Sequence, residues 1–204
     1  MYNIYSLPLK PECYKHVLLK RGTVNFEDRG EAVEHVERMS NSLSRTKRLF
    51  HDYAFCNSFD LFVTFTFDRK KIDRYDLDSI KKKLGKFFNN YQNRVDSSLR
   101  YMIVPEQHKD GAYHFHGLMS KVSGMEVKKK IPKKIGDVVE FVDNTKGYIS
   151  WEAYSSRFGF FSAAFIHDYS KCVSYCYSYI TKSFGASSFK GVRLLMKSQG
   201  LCWV

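Results

Sequence analysis

A chain of 204 residues with 44% hydrophobic and 26% charged residues holds enough apolar material for one domain with a real core. Its formal net charge of +12 asks for a polyanionic partner, either nucleic acid or an anionic membrane. No apolar run nears bilayer-spanning length, no signal-peptide core opens the chain, and the basic residues are not gathered on one amphipathic helix, so nucleic acid is favoured and a membrane is not expected.

Residues 1 to 25 give a weak, Pro-interrupted strand signal. From about Phe26 to Cys56 the pattern is helical, with Val33, Val36, Met39, Leu43, Leu49 and Tyr53 near helical spacing. Arg45, Lys47 and Arg48 on that helix are either a solvated face or a guide for a DNA strand. Residues 1–56 read as an extension packed on or flanking a main domain, 57–204.

The run Leu61 to Phe67 alternates strictly: Val63, Phe65 and Phe67 point one way, Phe62, Thr64 and Thr66 the other. A helix from Leu77 to Arg94 follows, capped by Asp76, with Leu77, Ile80, Leu84, Phe87, Phe88 and Tyr91 inward. Two strands, Arg100 to Gln107 and Ala112 to Ser120, are separated by Lys109, Asp110 and Gly111. The stretch Lys121 to Lys146 is basic, carrying Lys128, Lys129 and Lys130, and reads as a loop with a short strand near Val138 to Val142. A short helix (150–158), a strand (159–166), a helix from Asp168 to Phe184 ended by Gly185, and an edge strand (192–196) complete the order. Hairpins mixed with crossovers predict an α+β fold, an antiparallel-rich sheet with helices on it.

His114-Phe115-His116 is the sharpest local signal. On a strand both imidazoles project from one face while Phe115 enters the core. A two-residue Asp110-Gly111 turn would pair Glu106 with Phe115 and put the carboxylate on the wrong face. A three-residue loop with a left-handed Gly111 pairs Glu106 with His114 and completes a site of two nitrogens and one carboxylate oxygen. Such a set suits zinc or non-haem iron, and magnesium or manganese where a substrate adds phosphate oxygens.

Three tyrosines stand within five residues of the last helix. Tyr175, Tyr179 and Lys182 share a face and Tyr177 turns away. A packing stripe is the bland alternative, but it would not end in a Lys. A tyrosine hydroxyl can attack a phosphodiester, and its weakness as a nucleophile calls for charge at the scissile phosphate. A metal on Glu106, His114 and His116, with Lys182 nearby, meets that need.

Taken in order, these motifs resemble those of the HUH endonucleases, specifically the replication-associated proteins of small single-stranded-DNA phages and rolling-circle plasmids. Phe62-Val63-Thr64-Phe65-Thr66-Phe67 resembles the first motif, a hydrophobic strand with Thr. His114-Phe115-His116 resembles the second, with Glu106 where many members carry a third ligand, and Tyr175 to Lys182 resembles the third. The likeness runs from Asn57 to Phe184. It implies a central five-stranded antiparallel sheet of ferredoxin/RRM-like type flanked by helices. It also implies Mg2+- or Mn2+-dependent nicking and rejoining of single-stranded DNA at an origin or hairpin through a 5′-phosphotyrosine.

Ser178 replaces the Lys that paired-tyrosine members carry before the second Tyr, so Tyr179, with Lys182 three residues on, ranks before Tyr175 as nucleophile. No G-x-x-x-x-G-K-[ST] motif occurs, so a separate helicase and polymerase are the expected partners. The five cysteines, Cys13, Cys56, Cys172, Cys176 and Cys202, form no C-x-x-C pair. Reduced thiols fit the cytoplasm of a bacterial host. Thr64, Thr66, Arg45, Lys47, Arg48 and Lys128 to Lys130 are the expected DNA contacts. Competing readings are a single-tyrosine transposase or relaxase of the same fold, a binding module that does not cut, and an iron or zinc enzyme acting on a small molecule. The last leaves the tyrosines and the charge unexplained.

Overall fold

A computed structural model describes residues 31–135, 138–145, 147–185 and 193–202; the strand signal expected within residues 1–25 lies outside them. In chain order the elements are α1 (Glu31–Cys56), β1 (Leu61–Thr66), α2 (Leu77–Arg94), β2 (Tyr101–Gln107), β3 (Tyr113–Met119), β4 (Met125–Val127), β5 (Lys130–Ile135) and β6 (Val138–Asp143). They continue with β7 (Ile149–Trp151), α3 (Glu152–Ser155), β8 (Phe161–Phe165), α4 (Tyr169–Gly185) and β9 (Met196–Lys197).

The fold is α+β, as the pattern predicts, but the sheet has seven strands and not five, in the order β4-β7-β8-β1-β3-β2-β9. Every neighbouring pair is antiparallel. The added strands β4, β7 and β9 are two or three residues long, too short for alternation to show. The basic stretch expected as a loop forms a separate β5–β6 hairpin. Among the described residues no helix is long and apolar enough to cross a membrane.

Strict alternation along β1 divides the core into two layers. Leu61, Val63 and Phe65 are fully buried with Phe115 against α2, whose six apolar positions Leu77, Ile80, Leu84, Phe87, Phe88 and Tyr91 are all buried. Asp76 caps α2 by accepting the Ser79 N–H at 3.0 Å. On the opposite face α1 and α4 cover β2 and β3 through Phe50, Ala54, Val104, Leu118, Val173 and Ile180. The end of α1 is thus part of the second core layer.

Two backbone features position the site. The β2–β3 loop spans residues 109–111: the His108 N–H donates to the Ala112 carbonyl at 2.9 Å, and Gly111 takes φ of +84°. That conformation costs a residue bearing Cβ, and it sets the predicted register, Glu106 opposite His114. At the far edge β9 pairs only with Met102 and Ile103. The Pro105 carbonyl beyond it accepts a hydrogen bond from the buried Ser183 hydroxyl of α4. The end of the tyrosine helix is thereby tied beside Glu106.

Candidate metal centre and tyrosine helix

Strand pairing builds the floor of the site. Thr64 stands opposite His116 and Thr66 opposite His114. Each hydroxyl meets the Nδ1 of its partner ring at 3.1 Å. With Nδ1 so engaged, each ring presents Nε2 outward, the arrangement in which a second partner fixes the orientation of a metal-ligating imidazole. The two threonines expected to touch DNA therefore serve first as props for the histidines.

Nε2 of His116 lies 2.9 Å from Glu106 Oε2, yet it is buried and makes no hydrogen bond, because the carboxylate stands off the axis of the ring nitrogen. A buried nitrogen left without a partner beside a carboxylate oxygen is the geometry of two ligands flanking a shared position. Burial first, outweighing the attraction of Glu106, pushes the His116 pKa down to about 4, so the ring is neutral, the form that binds a metal. Burial alone would raise the Glu106 carboxyl, but the Lys182 hydrogen bond at 3.0 Å, then the nearby histidines, hold it below its ordinary value. The carboxylate is thus ionised.

The third donor differs from the one expected. Glu106, His108 and His116 offer ligand atoms that all lie within 4.8 Å of one another, whereas His114 is outside this group. Although Glu106 pairs with His114 along the ladder, its carboxylate reaches diagonally to His116 and lies 3.8 Å from His108 Nε2. His114 is stacked face to face on His108, centroids 3.8 Å apart, and held by Thr66. The alternation that groups His114 with His116 on β3 also groups Glu106 with His108 past the end of β2; that was the readable signal for His108. Two imidazoles and a carboxylate fit a divalent ion with open positions.

Helix α4 lies on the same sheet face. The Tyr179 ring stacks on His116 at 4.1 Å and 12°. Its hydroxyl donates to the Tyr175 hydroxyl at 2.7 Å. Tyr179 is 7% exposed and Tyr175 54%, so one phenol is packed into the site and the other stands at its mouth. Burial, then the bond to Tyr175, pushes the Tyr179 phenol well up. Lys182 Nζ sits 5.2 Å from the Tyr179 ring centroid while bound to Glu106. Tyr177 points away and packs edge-on against Phe50 of α1. Ser178 turns its hydroxyl back to the Tyr175 carbonyl at 2.8 Å, away from the cluster.

Phe62, unassigned from sequence, stacks near His116 and Tyr179, both at 6.4 Å, and closes the site on its β1 side. Among the described residues no contact joins Arg45, Lys47 or Arg48 to this cluster; Arg48 pairs instead with Asp52 at 3.7 Å. Lys128, Lys129 and Lys130 are exposed where β4 leads into β5.

An antiparallel sheet that sets a carboxylate–imidazole cluster beneath a paired-tyrosine helix defines a protein built to bind a divalent ion next to two phenols. The sequence profile of a replication-associated protein family, the ORF2 group, matches residues 60–184, more than half of the chain, and the protein belongs to that family. The matched span begins at β1 and ends in α4, so it contains every residue of the cluster. No curated protein and no solved structure matches the chain.

Proposed function

We propose that this replication-associated protein is a replication initiator of the HUH endonuclease type. It nicks and rejoins single-stranded DNA at a rolling-circle origin or its hairpin. The observation that carries this reading is the stacking of Tyr179 on His116 at 4.1 Å, which sets a phenol against the metal-ligand cluster.

Glu106 and His116, with His108 or His114, would hold a divalent ion, Mg2+ or Mn2+. When bound, the ion supplies positive charge at a phosphoryl oxygen of the scissile bond. The protein's own groups do the rest. Tyr179 is the first nucleophile. Its oxygen attacks phosphorus, the P–O3′ bond breaks, the departing oxygen takes a proton to become a 3′-hydroxyl, and the 5′-phosphate stays on the phenol. Lys182 keeps a cation near the Tyr179 ring, which favours the phenolate over the phenol. Tyr175, already bonded to Tyr179, is placed to receive its proton or to act as second nucleophile in rejoining.

The test is to incubate the protein with single-stranded origin oligonucleotides and Mn2+ or Mg2+, then look for a covalent adduct on a denaturing gel. An adduct is expected with the ion and none without it. Tyr179→Phe should remove the adduct; an undiminished adduct would pass the role to Tyr175. Complete absence of adduct with the natural origin strand would overturn the endonuclease reading.

A further inference from the structure

The sheet face that carries the histidines continues beyond β1, and there no helix lines it. Ser162 of β8 stands opposite Thr64, so it and Phe160, two positions earlier, share the face of Thr64 and Thr66. The ladder still holds at Phe160, whose carbonyl accepts the Thr66 N–H at 2.9 Å. The β5–β6 hairpin borders this half of the face and encloses a cleft of about 370 Å3. Its lining includes Lys128, Lys130, Phe141, Tyr148, Phe160 and Ser162.

Two features of this cleft go unused by the cleavage chemistry. Phe141 and Phe160 are 68% and 57% exposed, yet both line the same concavity. Exposed phenylalanines gathered at one concavity mark a surface meant for a flat apolar partner. The two lysines beside them mark that partner as anionic. A nucleotide strand is both: a π-face on every base and a charge at every phosphate.

The cleft is also a built structure connected to the metal centre. The Asn144 side chain donates to the Lys128 carbonyl at 2.6 Å and the Tyr148 carbonyl at 2.8 Å, and accepts the Tyr148 N–H at 2.9 Å. One amide thus clamps the root of the hairpin to the strand below it. A second, shallower concavity is lined by Thr66, Gly159 and Phe160. It shares Phe160 with the cleft and reaches Thr66, whose hydroxyl holds His114.

We propose that this cleft is a docking channel for the unpaired DNA strand on one side of the scissile phosphate. Bases stack on Phe160 and Phe141, Lys128 and Lys130 hold adjoining phosphates, and the strand runs past Thr66 to the metal centre. The proposal rests on the single-strand reading above, and its test does not require cleavage.

Binding of a fluorescein-labelled oligothymidylate of about twenty nucleotides to the full chain is measured by anisotropy, without added metal, over a series of salt concentrations. Phe141→Ala/Phe160→Ala should weaken binding about tenfold or more. Lys128→Ala/Lys130→Ala should flatten the logarithmic salt slope by about 1.4, two phosphate contacts at about 0.7 each. If the double phenylalanine variant fails to fold, Phe141→Ser alone, at the more exposed position, should still weaken binding about fivefold. Unchanged affinity and slope in these variants, or equal competition by a duplex of the same length, would overturn the channel even if the covalent adduct forms. Lost binding in the variants with no adduct in the wild type would uphold the channel and sink the cleavage reading instead.

Discussion

The two faces of β1 and β3 divide the work of the protein between alternate residues. Facing α2, Leu61, Val63, Phe65 and Phe115 are fully buried and make only apolar contacts. Facing α4, Thr64, Thr66, His114 and His116 engage one another and the groups above them. One residue of shift along either strand exchanges a wall of core for a ligand. Stability and chemistry are therefore separable by mutation at adjacent positions, although they share a backbone.

The sharpest way to break that separation is on the polar face. Tyr179→Phe should abolish adduct formation while changing unfolding free energy by no more than about 1 kcal/mol, one hydrogen bond's worth, checked by gel and urea denaturation. On the dry face Phe115→Ala should cost about 3–5 kcal/mol in the same denaturation experiment, since it removes a fully buried ring. A Phe115→Ala protein with wild-type stability would mean that α2 packs elsewhere.

Between the two lies Thr64→Val, which keeps shape but drops the bond to His116 Nδ1. Calorimetric Mn2+ affinity should fall about 10–100-fold with little change in stability. Gly111→Ala should cost about 1–2 kcal/mol, because φ of +84° is strained for alanine, and it tests the loop that sets Glu106 in register. Lys182→Met has the smallest expected effect and the most informative sign. Lys182 competes with an ion for Glu106 and also holds its carboxyl below the ordinary value. Its loss should strengthen Mn2+ binding near neutral pH by no more than about fivefold, and should move the acid limb of binding to higher pH as the carboxyl becomes easier to protonate.

Much of this was legible in the sequence because alternation and turn chemistry act locally. The Thr and His faces, the six inward residues of α2, the Asp76 cap and the Gly111 loop that pairs Glu106 with His114 all follow from spacing. What was not legible depends on side-chain reach and on strands too short to alternate. Glu106 leans to His116 and His108 and not to the residue directly across from it, and no periodicity encodes a diagonal. The three-residue β4 and β7 find their places only because β8 brings Ala163 beside Ile149 and β7 in turn offers Trp151 to Met125. The hairpin over residues 130–143 hid its alternation behind a run of lysines.

The most direct measurement is mass spectrometry of the trypsin-digested covalent adduct made with Mn2+ and the origin strand. Cleavage after Lys171 and Lys182 yields a peptide that carries Tyr175, Tyr177 and Tyr179, and fragmentation separates them. A nucleotide mass on Tyr179 is the expected result. A nucleotide on Tyr177, which faces α1, or on any residue outside α4 would contradict a phenol poised over His116.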